Sequence, residues 1–149
     1  MEIRRLTRAD LPSLLRLYRH LDAADEPVSP ARAEEVWAQI GAQGNIVYIG
    51  AVEAGEVVSA CYIALIPNLT RGGRPIGFVE NVVTDADHRR QGLARRVLTE
   101  AVRIAREAGC YKVMLQSGAG RTHAHALYES LGFDGQAKRA FDLRLEEDA

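Results

Sequence analysis

The stretch from Phe78 to Arg96, FVENVVTDADHRRQGLARR, joins a run rich in β-branched residues to the start of a long helical pattern. Its first seven residues predict a strand, and apolar residues that recur every three or four positions after Leu93 predict a helix. The turn between them contains Gly92 and a small residue, Ala94, with arginines on both sides. This turn is either an arginine-rich, solvated helix start or a helix N-terminus that holds an anion.

An anion site is favoured by the backbone that such a turn exposes. The first N–H groups of a helix have no partner within it, and the helix dipole places partial positive charge there. Gly92 would let a phosphate approach the backbone closely, and the arginine side chains would add donors, which suits a pyrophosphate. Neither G-x-G-x-x-G nor the P-loop lysine motif occurs in the sequence, so a dinucleotide-binding fold and a P-loop are disfavoured.

The residues before this stretch predict one strand, two helices and a hairpin. A short strand at the N-terminus precedes two amphipathic helices, the first capped by Asp10 and the second by Ser29. The runs NIVYIGAVE and EVVSACYIALI then form a hairpin across Ala54-Gly55. After a flexible turn, IGFVENVVT, from Ile76 to Thr84, is the third strand in a row.

The residues after Arg96 predict alternating helices and strands. The long helix ends at Gly109 and is followed by YKVMLQS, a mostly apolar run typical of a strand inside a sheet. A short helix from about Thr122 to Leu131 and a last strand, RAFDLRLE, complete the order β-α-α-β-β-β-α-β-α-β. The acidic end EEDA is predicted to be a frayed terminus.

This order predicts an α/β (or α+β) domain with a mixed, mostly antiparallel central sheet and helices on both faces. Strands joined by short turns pair antiparallel, whereas the strands around Val82 and Val113, joined by a helix, are predicted to be parallel with a right-handed crossover. With 149 residues and no linker-like segment, a single domain over residues 1–149 is predicted.

The composition excludes several classes of protein. The chain is 47% hydrophobic and 26% charged with a formal net charge of −1, which argues against disorder and against a nucleic-acid partner. Its two cysteines suit reduced thiols better than a disulfide framework. Neither a signal-peptide pattern nor a run of about 20 apolar residues occurs, so no membrane association and a cytoplasmic location are expected.

The decisive stretch resembles the GCN5-related N-acetyltransferases, the GNAT superfamily. The resemblance rests on RRQGLA (residues 89–94), on the ENVVT strand before it, on ALYESLGF (residues 126–133) and on the element order over nearly the whole chain. It implies acetyl-coenzyme A as co-substrate, with its pyrophosphate on the backbone amides of the turn and its pantetheine arm paired to the strand edge. The implied cofactor-binding residues are Val82, Val83, Thr84, Arg89, Arg90, Gln91, Gly92, Leu93, Ala94 and Arg95.

Acetyl transfer from a thioester to an amine needs a base for the amine, a donor for the developing oxyanion and a proton for the departing thiolate. Tyr128 is predicted to be the acid, because a phenol ionises near pH 10, like an alkyl thiol, and because the family places a tyrosine there. The alternative is that Tyr128 belongs only to an apolar helix stripe. A backbone N–H near Val82 or Val83 would be the oxyanion donor.

Glu80 is predicted to be the general base, directly or through a water, because a carboxylate inside an apolar strand is costly unless it faces a wet cleft. The alternative is a solvated or ion-paired strand carboxylate. Strand alternation would send Glu80 and Asn81 to opposite faces unless a β-bulge intervenes, and family members often have such a bulge. Asn81 is predicted to hold the substrate or an ordered water.

The four histidines include three in chemically suggestive positions, but the sequence predicts no metal site. His88 lies in the turn, where it caps the backbone or touches phosphate. His123 and His125 precede Tyr128, and their spacing of two places them on different faces of a helix, which indicates surface residues.

The predicted acceptor is the primary amine of a small molecule, such as an amino sugar, an amino acid or a polyamine-like amine, attacked directly in a ternary complex. Five acidic residues of the first two helices would attract a cation: Asp22, Asp25, Glu26, Glu34 and Glu35. The alternatives are a protein lysine or N-terminal amine, and a non-catalytic acyl-CoA-binding module. Family members often pair through C-terminal strands, and AFDLRL alternates as such a strand would, so a homodimer is possible.

Overall fold

The computed structural model describes residues 1–146 of the chain. The chain divides into two compact units, one spanning Met1–Leu115 and a second that begins at Gln116. Since each unit is compact by itself, the single domain expected over residues 1–149 stays a prediction. The acidic end from residue 147, for which a frayed terminus is predicted, lies outside the described residues.

The first unit is built on a five-stranded sheet in the spatial order β1-β2-β3-β4-β5. The pairs β1–β2, β2–β3 and β3–β4 are antiparallel, and the pair β4–β5 is parallel. The strands are β1 (Glu2–Arg5), β2 (Ile46–Glu53), β3 (Glu56–Ile66), β4 (Ile76–Thr84) and β5 (Lys112–Leu115). The predicted mixed, mostly antiparallel sheet is confirmed, including the parallel pair that the helix connects.

Three helices belong to the first unit: α1 (Leu11–Leu17), α2 (Pro30–Gln43) and α3 (Leu93–Glu107). The helix α4 (Thr122–Ser130) belongs to the second unit. Helix α2 begins as predicted, because Ser29 Oγ accepts a hydrogen bond from the Arg32 N–H at 3.1 Å. Short 3₁₀ turns occupy Arg8–Asp10, Tyr18–His20, Arg71–Gly73 and Ala86–His88. None of the helices among residues 1–146 is both long and apolar enough to cross a membrane.

Helices of the first unit cover both faces of the sheet, as the sequence predicts. On one face, apolar residues of α1 pack with residues of β2, β3 and β4, and Trp37 of α2 lies against this cluster. On the other face α3 approaches closely, since a Cβ atom added at Gly77 would lie 3.5 Å from the Ala105 side chain. The six residues that α3 buries follow the helical period: Leu93, Val97, Leu98, Ala101, Ile104 and Ala105.

Asp10 occupies the N-cap position of α1 as predicted, but its side chain makes no capping hydrogen bond to that helix. Its carboxylate accepts hydrogen bonds from the Thr7 N–H at 2.7 Å and from both terminal nitrogens of Arg4 at 2.8 and 2.9 Å. The Arg4 guanidinium holds the pKa of Asp10 below its usual range. Asp10 therefore fastens the start of α1 to β1 rather than closing the helix end itself.

The last predicted strand, RAFDLRLE, is wrong for this structure. Residues 139–146 contain no strand, and three apolar side chains of this segment remain largely exposed: Phe141 at 85%, Leu143 at 84% and Leu145 at 89%. A strand requires a ladder partner, and within residues 1–146 this segment pairs with none. The alternation of apolar and polar residues identifies a segment that is able to form a strand. It does not identify the strand with which that segment would pair.

Candidate functional site

The centre of β4 contains a bulge. Glu80 pairs with Tyr62 and Val83 pairs with Ala60 across β3, so the register shifts between these two pairs. Asn81 lies inside the shift with a φ of 53°, in the left-handed region that non-glycine residues seldom occupy. The bulge implied by the family resemblance is therefore present, and such irregularities are frequent next to active sites.

The second half of β4 has no ladder partner on one edge among residues 1–146. Pairing between β4 and β5 runs from Ile76 to Val79 and extends no further among the described residues. On the opposite edge, Ser59 of β3 bonds the Val83 carbonyl at 3.2 Å and the Thr84 hydroxyl at 2.8 Å. The segment Val82–Thr84 is thus held on the β3 side and is not paired to β5 on its other side, as strand-like binding of an extended ligand would require.

The turn between β4 and α3 exposes the amides expected to bind a phosphate. Residues 89–92 are exposed, whereas Leu93, the first residue of α3, is buried. Arg90 and Gly92 have φ values of 63° and 72°, and Gly92, at the N-cap position of α3, has no side chain with which to cap the helix. Residues in the left-handed conformation turn neighbouring N–H groups toward one concave side, which is an anion-binding arrangement. Along the chain, the unpaired part of β4 comes first, and the exposed turn follows after the 3₁₀ turn Ala86–His88.

An aromatic cluster lines the α1–α2 side of the sheet beside Glu80. The Tyr48 and Tyr62 rings stack with centroids 5.0 Å apart, and Trp37 meets Tyr48 edge-on at 5.3 Å. Burial raises the pKa of Tyr48 to about 12, with Tyr62 adding to the effect. Burial also raises the pKa of Tyr62, and the Glu80 carboxylate raises it further, so both hydroxyls stay protonated at neutral pH.

Asn81 lies next to Tyr18, at the end of α1. Burial is the main cause that raises the pKa of Tyr18, and the Asn81 side chain opposes it. The Tyr18 hydroxyl oxygen is buried and has no hydrogen-bond partner of good geometry among the described residues. A buried donor of this kind is available to a polar group of a substrate or to a water.

Tyr128 lies in the second unit, so it and Glu80 belong to different units. Its side chain is 6% exposed, and its ring meets Phe133 edge-on with centroids 6.3 Å apart. The Phe133 N–H donates to the Tyr128 carbonyl at 3.0 Å, which closes the end of α4. The local packing accounts for the position of the ring and leaves its role as an acid a prediction.

The histidines occupy surroundings that the sequence did not specify. His88 contacts two carboxylates, Asp85 and Glu53, through its two ring nitrogens. His123 is exposed, and His125 Nε2 lies 2.8 Å from the Gly118 carbonyl oxygen. Across residues 1–146 no three or more histidine, cysteine, aspartate or glutamate side chains group in a way that could hold a metal ion.

Two of the five acidic residues expected to attract a cationic amine are already paired. Glu34 accepts from Arg8 at 2.7 Å, and Glu35 accepts from Arg32 at 3.0 Å. These exposed ion pairs neutralise part of the negative charge of α2. Glu80, by contrast, pairs with Tyr62 across the sheet and lies beside the aromatic cluster.

Sequence analysis missed the aromatic cluster and the partners of His88. Tyr48 and Tyr62 pair directly across β2 and β3. The hairpin at Ala54-Gly55 predicts an approximate alignment of these two strands. Counting outward from the hairpin gives an error of one residue, however, because a further bulge interrupts the pairing at Ala51. The contact between His88 and Glu53 spans 35 residues and leaves no local pattern in the sequence.

A model of the acetyltransferase (GNAT) family matches residues 11–133 of the chain. The chain belongs to this family. As a GNAT protein it is an acyltransferase, and family members use acetyl-coenzyme A as co-substrate. The match begins at the first residue of α1 and ends just after α4, so it spans residues of both units.

Individual relatives of this GNAT protein are similar over most of its length. A glucosamine 6-phosphate N-acetyltransferase of Trypanosoma brucei brucei is 33% identical over 134 residues, which are 89% of this chain and 88% of the trypanosomal protein. A putative acetyltransferase from Agrobacterium tumefaciens has a solved structure with a TM-score of 0.92 and 40% identity, covering 97% of this chain and 99% of the other. The glucosamine-6-phosphate N-acetyltransferase of Arabidopsis thaliana shares the fold, with a TM-score of 0.82 at 20% identity over 99% of this chain and 98% of that protein.

Proposed function

We propose that this protein transfers the acetyl group of acetyl-coenzyme A to the primary amine of a small molecule by direct attack in a ternary complex. The observation that carries the proposal is the free edge of β4 beyond Val79, followed along the chain by the exposed turn at residues 89–92. An extended arm that ends in a pyrophosphate needs a strand edge and an anion site in this order.

The coenzyme would bind mainly through backbone groups. In the proposal, Val82, Val83 and Thr84 pair with the pantetheine arm along the free edge of β4. The amides of residues 89–95 hold the pyrophosphate, and the side chains of Arg89, Arg90 and Arg95 add charge around it. The open space at Gly92, where an added Cβ would meet nothing within 4 Å of the protein, fits the close approach of a phosphate group.

The chemical step would use three groups of the protein: a base, a donor to the oxyanion and an acid. The amine nitrogen attacks the thioester carbonyl carbon, and the amine proton passes to Glu80 directly or through a water held by Asn81. A β4 backbone N–H near the bulge stabilises the oxyanion. The carbon–sulfur bond then breaks, and Tyr128 gives its proton to the departing thiolate. An amine that arrives as an ammonium ion first loses one proton to solvent. After transfer, Glu80 releases its proton to solvent and Tyr128 regains one, so the net products are the acetylated amine and the free thiol of the coenzyme.

An amino sugar is the acceptor class that the aromatic cluster supports best. Tyr48, Tyr62 and Trp37 offer apolar ring surfaces that can cover the C–H face of a sugar, while the Glu80 carboxylate attracts the ammonium group. The trypanosomal relative is named as an enzyme that acts on glucosamine 6-phosphate, which is a compound of this class. Peptide amines offer no comparable ring face.

A homodimer is proposed as the state that covers the exposed segment 139–146. Strand β5 is the last strand in the sheet order, so its outer edge has no ladder partner among the described residues. Phe141, Leu143 and Leu145 alternate along the segment and leave one apolar face in water. A second copy of the chain presents both a β5 edge and an identical segment, so two such contacts close symmetrically.

The function is tested by mixing the purified protein with acetyl-coenzyme A and a panel of amines while free thiol is measured. The panel contains glucosamine 6-phosphate, glucosamine, an aminoglycoside, a polyamine and a peptide with a lysine and a free N-terminus. We expect thiol release with an amino sugar and a mass increase of one acetyl group on that sugar. Faster release with the peptide would identify a protein acetyltransferase, and binding of the coenzyme without turnover on any amine would identify a non-catalytic acyl-CoA-binding module.

A further inference from the structure

Four ionisable side chains meet at the turn that leads into the residues 89–92. Asp85 directly follows β4, His88 ends the 3₁₀ turn Ala86–His88, Glu53 ends β2, and His20 ends the 3₁₀ turn after α1. His88 Nδ1 lies 2.5 Å from Asp85 Oδ2 and His88 Nε2 lies 2.9 Å from Glu53 Oε2. His20 Nε2 lies 2.9 Å from the other oxygen of Asp85. These contacts join two other elements, β2 and the 3₁₀ turn after α1, to the turn.

The geometry at His88 is that of a charged imidazolium. A neutral imidazole carries a single N–H, so one of its nitrogens would face a carboxylate with a lone pair. With a proton on both nitrogens, His88 donates to Asp85 and to Glu53 at the same time. When His88 loses its proton, one ring nitrogen presents a lone pair to a carboxylate. That contact becomes repulsive, so the turn loses one of the two hydrogen bonds that His88 donates.

The backbone of the turn depends on the same residues. The Asp85 N–H donates to the Val58 carbonyl of β3 at 2.8 Å, and the His88 N–H donates to the Asp85 carbonyl at 2.9 Å. His88 is followed at once by Arg89 and Arg90, and Arg90 has an unfavourable positive φ. A non-glycine residue keeps such a conformation only where its surroundings hold it.

We propose that His88 and Asp85 are positioning residues of the coenzyme-binding turn, and that acetyl-coenzyme A binds more weakly when His88 is neutral. The proposal rests on the function proposed above. A turn fixed before binding does not lose freedom when the pyrophosphate arrives, whereas a loosened turn does. The effect is on affinity, because neither side chain touches the reacting atoms.

The direction of the pH dependence follows from the contacts. Hydrogen bonds to Asp85 and then to Glu53 raise the pKa of His88, and the His88 and His20 rings hold the pKa of Asp85 below its usual value. A raised histidine pKa means that the charged contacts are complete below the ordinary value near 6.5 and are lost as pH rises through the raised value. Because the pKa of Asp85 is lowered, its carboxylate stays ionised throughout that range.

The experiment measures the dissociation constant of acetyl-coenzyme A by calorimetry at about pH 6.5 and about pH 8.5. We expect the dissociation constant of the wild-type protein to rise by about three- to tenfold between these values. The variant His88→Gln should lose this rise and bind weakly at both values. The variant Glu53→Gln, whose side chain is half exposed, should show a smaller rise. His123→Gln, an exposed histidine outside the turn, is the matched control and should keep the wild-type rise.

Circular dichroism of each variant at both pH values checks that the fold is intact. The inference is overturned if the wild-type affinity does not change with pH, or if His88→Gln keeps the wild-type pH dependence. Absence of coenzyme binding by the wild-type protein at both pH values is a different result, since it would overturn the proposed function and this inference with it. Ionisation of the coenzyme's phosphates affects all variants alike and is removed by comparison with His88→Gln.

Discussion

At the scale of single residues, the sequence predicted the identity of the side chains proposed for the chemistry better than it predicted their surroundings. The sequence identified Glu80 and Asn81 as neighbours in an apolar strand but left their relation open, because one inserted residue reverses the alternation of a strand. The structure resolves this with a left-handed Asn81 and places Glu80 opposite Tyr62. Residue types in a strand are thus readable from sequence, while the direction of each side chain depends on pairing geometry.

Replacing Tyr128 by phenylalanine tests its role as the acid. The variant keeps the ring that packs on Phe133 and removes the hydroxyl, so folding should be preserved. We expect kcat/KM for acetyl transfer to fall by about 10²-fold, while the affinity for acetyl-coenzyme A stays within about twofold. The measurement is thiol release under saturating and limiting amine.

The matched control is Tyr111→Phe, which also removes one hydroxyl and leaves a ring that three cationic side chains approach. An undiminished rate in Tyr128→Phe would show that this tyrosine serves for packing alone. A similar loss in both variants would show that the effect is not specific to position 128.

At the scale of elements, β4 and the start of α3 carry the proposed coenzyme site. Regular pairing ends at Val79 on one edge, the bulge follows at Asn81, and the exposed turn follows the strand. Sequence predicted the strand and the helix because both have strong periodic patterns. It could not predict where β4 and β5 part, since that depends on where each strand bends in the folded sheet.

The left-handed conformation of Asn81 in the bulge allows a prediction about the free energy of unfolding. At a φ of 53°, valine is strongly disfavoured and glycine is not. We expect Asn81→Val to lower the free energy of unfolding by about 1–3 kcal/mol, and Asn81→Gly to leave it within about 1 kcal/mol of wild type. Urea denaturation provides the measurement. Equal stability of the valine variant and the wild type would mean that the strand is regular in solution.

At the scale of the whole molecule, the exposed segment 139–146 is the feature on which the proposed homodimer rests. The alternation of Phe141, Leu143 and Leu145 predicted a strand, and the structure contradicts that prediction for residues 139–146. In the proposed dimer the partner of this segment belongs to a second copy, and the sequence of one chain does not identify such a partner. The contact of His88 with Glu53 was beyond sequence reasoning for a different reason, because its 35-residue separation leaves no local pattern.

The proposed dimer predicts a mass of twice 16.4 kDa by light scattering coupled to gel filtration. Leu143→Asp should shift the protein toward the monomer, because a charge on the apolar face opposes its burial. Leu69→Asp, at a fully exposed leucine outside the segment, is the control and should leave the mass unchanged. A monomeric wild-type protein at micromolar concentration would contradict the proposal.

The central claim, that the turn before α3 binds acetyl-coenzyme A, is tested most directly by calorimetric titration of that coenzyme into two glycine variants. Gly92 and Gly109 lie at the two ends of α3 with φ values of 72° and 80°, and an added Cβ would meet nothing within 4 Å at either position. Alanine therefore strains the backbone comparably at both sites. We predict that Gly92→Ala weakens binding by about tenfold or more and that Gly109→Ala binds as wild type does. Equal affinity of all three proteins, or no heat of binding in the wild type, would contradict the account.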